Sequence, residues 1–278
     1  MKSTLSDETS PDGVEYRDAI ARARPRLGRL ASRFDLLPTI SSTNDVALER
    51  SAAAVAEGQD AEGLVVVAEE QTAGRGRRGH TWFSPPGSGL YVSVVLAPAR
   101  ARVDRPRATL LLTLAAGVAI AEGITAATGL YPDLKWPNDL QVAQCKLAGI
   151  LAEGAAGQQV VLGYGINIAA TAFPPELSGR TTSLESEVGR AVDRASVLVE
   201  TLVALSARYE DLLNGRFDVI LDAWRSLSPS AAGRRVSWTR NAAHLSGVTA
   251  GIDDHGALLV RVDDRIERVV AGEVVWLP

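Results

Sequence analysis

Apolar and polar positions alternate between helical and strand periods along most of the chain. Residues 41–58, "SSTNDVALERSAAAVAEG", read as a helix entered through a Ser/Thr/Asn cap and stopped by Gly58. "LVVVAEE" (64–70) and "GLYVSVVLAP" (89–98) have the β-branched and aromatic content of strands. Residues 107–129, "RATLLLTLAAGVAIAEGITAATG", are apolar nearly all round, which predicts a helix inside the core. "KLAGILAEGAAGQQVVLGYGINIA" contains two apolar runs joined by Gly and Gln, the pattern of a hairpin. Leu198, Leu202, Leu205, Tyr209 and Leu212 then recur at helical spacing, and "FDVILDAWRSL" continues as a shorter helix. After "SPSAAG" the texture changes to short strands, "RRVSWTR", "LSGVTAGID", "ALLVRVD" and "RIERVVAG", which predict a small all-β barrel.

This pattern divides the chain into a polar and basic N-terminal segment (1–35), a mixed α+β domain (36–230) and a small β domain (231–278). Residues 1–12 are polar and are expected to be mobile. "YRDAIARARPRLGRLASRF" reads as a short helix interrupted by Pro25, with its arginines on a solvated face.

Composition narrows the classes. At 46% hydrophobic and 22% charged residues, the 278-residue chain is an ordinary folded protein. A net charge of −4 argues against a general nucleic-acid surface, so a local basic cluster reads as a site. The single cysteine, Cys145, excludes an intramolecular disulfide and a cysteine-based zinc site, and it reads as a packed thiol. The N-terminus lacks a signal peptide's apolar core, and the uncharged run near 110–121 is shorter than a membrane span of ~20 residues. A cytoplasmic protein is the expectation.

Five stretches can carry chemistry. In "EEQTAGRGRRGHTWFSP", Gly74, Gly76 and Gly79 allow close backbone approach, and Arg75, Arg77 and Arg78 offer planar cationic forks for carboxylate or phosphate. Alone, the stretch is equally a solvated basic turn. "KWPNDL" places Lys135, Asn138 and Asp139 at a strand end; Lys135 can balance a phosphate and Asp139 can hold a metal or orient a lysine, or the segment is a plain turn. In "CKLAGILAE", Lys146 leads into an apolar strand, where a charge needs an anionic partner or must snorkel, and Ala148 and Gly149 admit something flat. "GYGINI" places Asn167 after two glycines at a strand end, and Ser42, Thr43 and Asn44 of "SSTN" either cap a helix or face a ligand.

In this order the five stretches resemble the biotin protein ligase family, from about residue 36 to the C-terminus, including "GIDDHGALLV". The resemblance implies a class II synthetase-like catalytic domain, a mixed sheet flanked by helices, followed by a Src-homology-3-like barrel. It implies that biotin and ATP, with Mg²⁺ on the triphosphate, give biotinyl-5′-AMP, and that the biotinyl group passes to a lysine of a biotin carboxyl carrier domain of acetyl-CoA carboxylase or a related carboxylase. By the family pattern, Ser42, Thr43, Asn44 and Gln71 face the ureido head of biotin, with Gly74, Gly76 and Gly149 also lining the biotin site. Arg75, Arg77 and Arg78 clamp the adenylate on a lid, and adenine stacks on Trp82. Lys146 bridges the biotin carboxylate and the α-phosphate, Lys135 and Asn138 lie near the phosphates, and Asn167 lies near the nucleotide. Asp139 is the candidate for helping the acceptor lysine lose its proton. No protein ligand to a metal is implied, and both monomer and homodimer stay open.

Relatives that also repress transcription carry an N-terminal winged-helix domain. About 35 residues precede the ligase-like region, so neither repressor activity nor a nucleic-acid partner is expected. His80 follows the arginine cluster where relatives are often more basic. The rival readings are a lipoate or octanoate ligase, which uses a glycine-rich signature not found after the first strand, and a nucleic-acid-binding regulator using "GRGRRGH".

Overall fold

In the computed structural model, the described residues are 11–170, 173–240, 243–270, 272 and 274–277. The mobility expected of residues 1–12 falls almost wholly outside them. Elements in chain order are α1 (Pro11–Ala23), β1 (Arg33–Ile40), α2 (Thr43–Ala56), β2 (Leu64–Gln71), β3 (Gly89–Leu96) and α3 (Arg105–Thr128). Next come β4 (Asp133–Lys135), β5 (Asp139–Val142), β6 (Cys145–Gly154), β7 (Val160–Asn167), α4 (Leu184–Val188), α5 (Arg194–Leu213) and α6 (Phe217–Leu227). The chain closes with β8 (Ala232–Arg240), β9 (Ala243–Ile252), β10 (Leu258–Val262), β11 (Arg265–Val269) and β12 (Val274–Trp276).

The first sheet has seven strands in the order β1-β2-β3-β7-β6-β5-β4. Only β1 and β2 run parallel, joined by α2; every other ladder is antiparallel, and β6 and β7 form the hairpin that their sequence predicts. Alternation along the strands divides the two faces. On β3, Leu90, Val92, Val94 and Leu96 join one large core with α3, α5 and α6, whereas Val95 packs with Ala47 and Ala54 of α2. The helix α3 is apolar and long enough to cross a membrane by composition; 67% of that stretch is buried inside the fold. Gly123 lets α3 meet α5 closely, since a Cβ there would stand 2.4 Å from Cα of Thr201.

The N-terminal segment is more than a solvated basic stretch. Tyr16, Ile20, Leu27 and Leu30 are buried in the same core, and Arg26 reaches Glu200 of α5 at 2.7 Å. Its helix ends at Ala23, and Pro25 lies in a short 3-10 turn that follows. The C-terminal strands form one antiparallel sheet in the order β11-β10-β9-β8-β12. It docks on the first domain through Trp136, whose Nε1 donates to the carbonyl of Gly256 at 3.0 Å.

α2 covers only part of the outer face of the first sheet. The remainder, a row formed by Lys135, Asp139, Gly149, Gly165 and Tyr91 across β4, β5, β6, β7 and β3, is the floor of a cleft.

Candidate active site

A bulge sets the chemistry of this cleft. Leu140 pairs with Ala148, but the next residue, Gln141, pairs with Lys146, so Leu147 is an extra residue on β6. Leu147 and Ala148 are both buried in the core, and Lys146 turns to the face that carries Gly149. Its Nζ lies 2.7 Å from Oδ1 of Asp139 and 5.3 Å from the centre of the Trp82 ring. Side-chain exposures of 37% and 26% leave this pair open to a ligand. Lys135, next in the row, has its pKa lowered by burial and by Lys146 and Arg180, with Asp139 acting in the opposite sense. Asn138 secures the intervening turn by donating through Nδ2 to the carbonyl of Ile150 at 2.7 Å, and its Oδ1 accepts from Nη1 of Arg77 at 3.1 Å. Burial lowers the pKa of Arg77, and Asp139 offsets part of this.

Between the ends of the cleft the floor is bare backbone. The indole of Trp82 rests there: a Cβ on Gly165 would stand 2.4 Å from its Nε1, and one on Gly149 would stand 3.1 Å from its Cζ3. The Nε1 atom is buried and has no partner among the described residues. Trp82 therefore occupies the floor itself in this structure, a placement its expected stacking on adenine did not anticipate.

At the other end the groups are neutral. Ser42, Thr43 and Asn44 are buried, but Ser42 makes no side-chain cap bond. The expected Ser/Thr/Asn cap is supplied from elsewhere, because Oε1 of Gln71 accepts from the Thr43 backbone N–H at 2.8 Å and from its hydroxyl at 3.1 Å. Nε2 of Gln71 donates to Ser84 Oγ at 2.9 Å, which ties β2 to the far end of the glycine-rich loop. Ser93 Oγ lies 2.8 Å from Thr43 Oγ1 and 2.5 Å from Asn44 Oδ1, while Asn44 Nδ2 donates to Glu153 at 2.7 Å. Gly163 is required here, since a Cβ would meet Asn44 Oδ1 at 2.1 Å.

The loop between these ends folds on itself. Arg75 bridges Thr81, Trp82 N–H donates to the carbonyl of Gly74 at 2.8 Å, and Gly76 N–H to that of His80 at 2.7 Å. Gly74 faces Ser84 Oγ, where a Cβ would stand at 2.6 Å. Arg75 does not join Lys146; it bridges Asp45 at 2.9 Å and Glu153 at 2.7 Å. Arg78 has a left-handed backbone (φ 58°) and is exposed, as is His80. Asn167 is buried and donates to the carbonyl of Thr182 at 3.0 Å, so it braces the segment behind Lys146.

Thus Thr43, Asn44 and Gln71 converge at one end, Lys135, Asn138, Asp139, Lys146 and Arg77 at the other, and Trp82 and Gly149 between them. Glu153, Ser93 and Ser84 escaped the sequence reading, and Gly165 entered it only as one of the two glycines before Asn167. Two carried a visible signal: Ser93 is a polar residue inside "YVSVVL", and Glu153 is an acid inside an apolar strand. No group of three metal-ligating side chains occurs among the described residues.

The arrangement has known counterparts. Residues 36–167 match the Biotin/lipoate A/B protein ligase family and residues 232–276 the biotin protein ligase C-terminal domain. The bifunctional ligase/repressor BirA of Bacillus subtilis is 36% identical over 84% of this chain and 71% of its own. The biotin–[acetyl-CoA-carboxylase] ligase of Mycobacterium tuberculosis is 35% identical over 88% and 89% respectively. The biotin protein ligase of Aquifex aeolicus in complex with biotin and ATP superposes with a TM-score of 0.74 at 28% identity, covering 88% of this chain and 99% of that one. The chain belongs to the biotin protein ligase family.

Proposed function

We propose that this chain is an ATP-dependent biotin protein ligase. In the first step a carboxylate oxygen of biotin attacks the α-phosphorus of ATP, forming biotinyl-5′-AMP and releasing pyrophosphate. In the second, the amine of a carrier-domain lysine attacks the acyl carbon, AMP leaves, and an amide remains. The observation that carries this reading is the cleft's polarity: Lys146 and Lys135 at one end, a neutral hydrogen-bonding set at the other, and a glycine floor between.

A carboxylate approaching a phosphate brings two anions together, and fixed cations lower that barrier. Lys146 stands between the two reacting groups, with Lys135, Arg77 and Arg78 supplying further charge to the phosphates. Ser42, Thr43, Asn44 and Gln71 offer both donors and acceptors, as a urea needs. Arg75 is the lid residue that shelters the mixed anhydride from water. Mg²⁺ enters with the triphosphate as part of the substrate, held mainly by its oxygens and water; Asp139 and Glu153 are already engaged by cationic side chains.

The acceptor lysine, with an ordinary pKa of ~10.4, is neutral in only about one molecule in ~2500 at pH 7. Asp139 is assigned to help remove its proton once Lys146 turns to the adenylate. Asp139→Asn should then slow transfer from preformed biotinyl-AMP; an unchanged rate would remove that role. The partner is a biotin carboxyl carrier domain of acetyl-CoA carboxylase or a related carboxylase, and the place of work is the cytoplasm. Purified protein given biotin, ATP, Mg²⁺ and such a domain should add one biotinyl mass to it. No mass change with any carboxylase carrier, or adenylate formation from lipoate in preference to biotin, would sink the proposal.

A further inference from the structure

We infer that Trp276, on the last strand of the C-terminal sheet, is a positioning residue that covers the ammonium of Lys135 and holds it at the phosphate end of the cleft. The inference rests on the reading that Lys135 serves the phosphates.

Lys135 Nζ lies 5.9 Å from the centre of the Trp276 ring, within the range in which an aromatic face attracts a cation. Asp139, the nearest candidate anion in the row, bridges Lys146, and Lys135 has no salt-bridge partner among the described residues. An ammonium on a flexible four-carbon stem has no preferred place without a neighbour to hold it. The indole supplies that neighbour from outside the first domain.

Its own position is firmly set. Trp276 pairs with Val236 in the β12–β8 ladder, and the next residue, Leu277, donates its N–H to the carbonyl of Arg235 at 2.9 Å. The sheet is fastened beside Lys135 by Trp136, which donates to Gly256 in the turn before β10 at 3.0 Å; Ser228, in the connection from α6 to β8, donates through Oγ to the carbonyl of Leu134 at 2.7 Å. The bond from Trp136 therefore ties one neighbour of Lys135 to the second sheet, and Ser228 ties the other neighbour to the connection that leads into it. Nε1 of Trp276 is buried without a partner among the described residues, so the face of the ring, not its N–H, engages the protein.

The charged groups acting on Lys135 are Asp139, which favours its charge, and Lys146 and Arg180, which disfavour it alongside burial. Removing the ring returns water to the ammonium, while those three groups remain.

The test follows biotin-dependent ATP–pyrophosphate exchange across neutral to alkaline pH in the full chain, with thermal unfolding of each variant. Trp276→Ala should raise KM for ATP roughly tenfold and displace the alkaline limb of kcat/KM for ATP from its parental position. KM for biotin and the unfolding midpoint should stay at parental values. Trp276→Phe, which keeps an aromatic face, should recover most of the ATP affinity. Lys135→Arg, permanently charged, should flatten the alkaline limb. If Lys135→Arg flattens the limb but Trp276→Ala leaves both it and KM for ATP unchanged, the positioning role fails and the Lys135 reading stands. If Lys135→Arg keeps the parental limb and KM, the Lys135 reading itself fails. Trp276→Phe falling as far as Trp276→Ala, or KM for biotin rising with KM for ATP, would overturn the assignment of the ring face.

Discussion

The two ends of the cleft are built on opposite principles. At the end under α2, the side chains of Thr43, Asn44, Gln71, Ser84 and Ser93 are neutral, and each is hydrogen-bonded to another member of the set. Ser93 is completely buried and Asn44 is 3% exposed. At the other end, Lys135, Asp139, Lys146 and Arg77 are charged and only partly buried. A neutral, directional ligand is read best by a rigid network whose donors and acceptors stand ready, because an unmet buried polar group costs ~1–3 kcal/mol. Developing negative charge is met best by cations that keep some water and some freedom until the anion arrives, since a fully buried unpaired charge costs far more. Arg75 links the two regimes. It is parked on Asp45 and Glu153 at the neutral end, whereas the Lys146 ammonium lies over Gly149, roughly 13 Å away along β6 at ~3.3 Å per residue, so reaching the phosphates requires the loop to move.

This contrast can be broken one end at a time. Lys146→Gln should cost the most, about 10²–10³-fold in adenylate formation measured by pyrophosphate exchange, with the fold retained in circular dichroism. Ser93→Ala strikes the neutral end: it should lower stability by ~1–3 kcal/mol and raise KM for biotin while leaving KM for ATP alone. Equal effects on both substrates would show that the ends are not independent.

Lys135→Met separates function from stability. In the folded chain the pKa of Lys135 is held below its unfolded value, so its charged form opposes folding at any pH below the folded value. Methionine removes that penalty, and the unfolding midpoint at neutral pH should rise by about 1–3 °C even as ATP binding is lost. The gain should fade as pH rises through the folded pKa toward the ordinary lysine value; a gain that is constant with pH would refute the cause. The smallest stability effect belongs to Arg75→Gly. Its partly exposed ion pairs contribute under ~1 kcal/mol, yet the variant should release biotinyl-AMP and label bystander lysines, detected by blotting for biotin.

Much of the site was legible because its residues cluster in short segments with strong local character. The hairpin of β6 and β7, the buried helix α3, the run of short C-terminal strands and the five polar stretches in order all follow from patterns spanning a few residues. Ser93 and Glu153 were visible as polar breaks in apolar strands, but neither says which partner it meets. The cap of α2 looked like the work of "SSTN" and comes instead from Gln71, brought by strand pairing across the β1–β2 crossover.

The sequence by itself determined the helix or strand character of the strongly patterned segments (though not of β1 or α4), which segments are apolar, and which chemistry each polar stretch can offer, because those properties depend on near neighbours. Tertiary structure alone decided which way the key groups point and whom they meet. In a regular strand Lys146 would share a face with Ala148 and Ile150, both buried in the core. The extra residue at Leu147, defined only by pairing with β5, turns the ammonium to the cleft. Trp276 likewise meets Lys135 only after a second sheet docks on β4. Side-chain direction in a strand alternates with period two, so a single inserted residue reverses it, and that insertion is a property of two strands together.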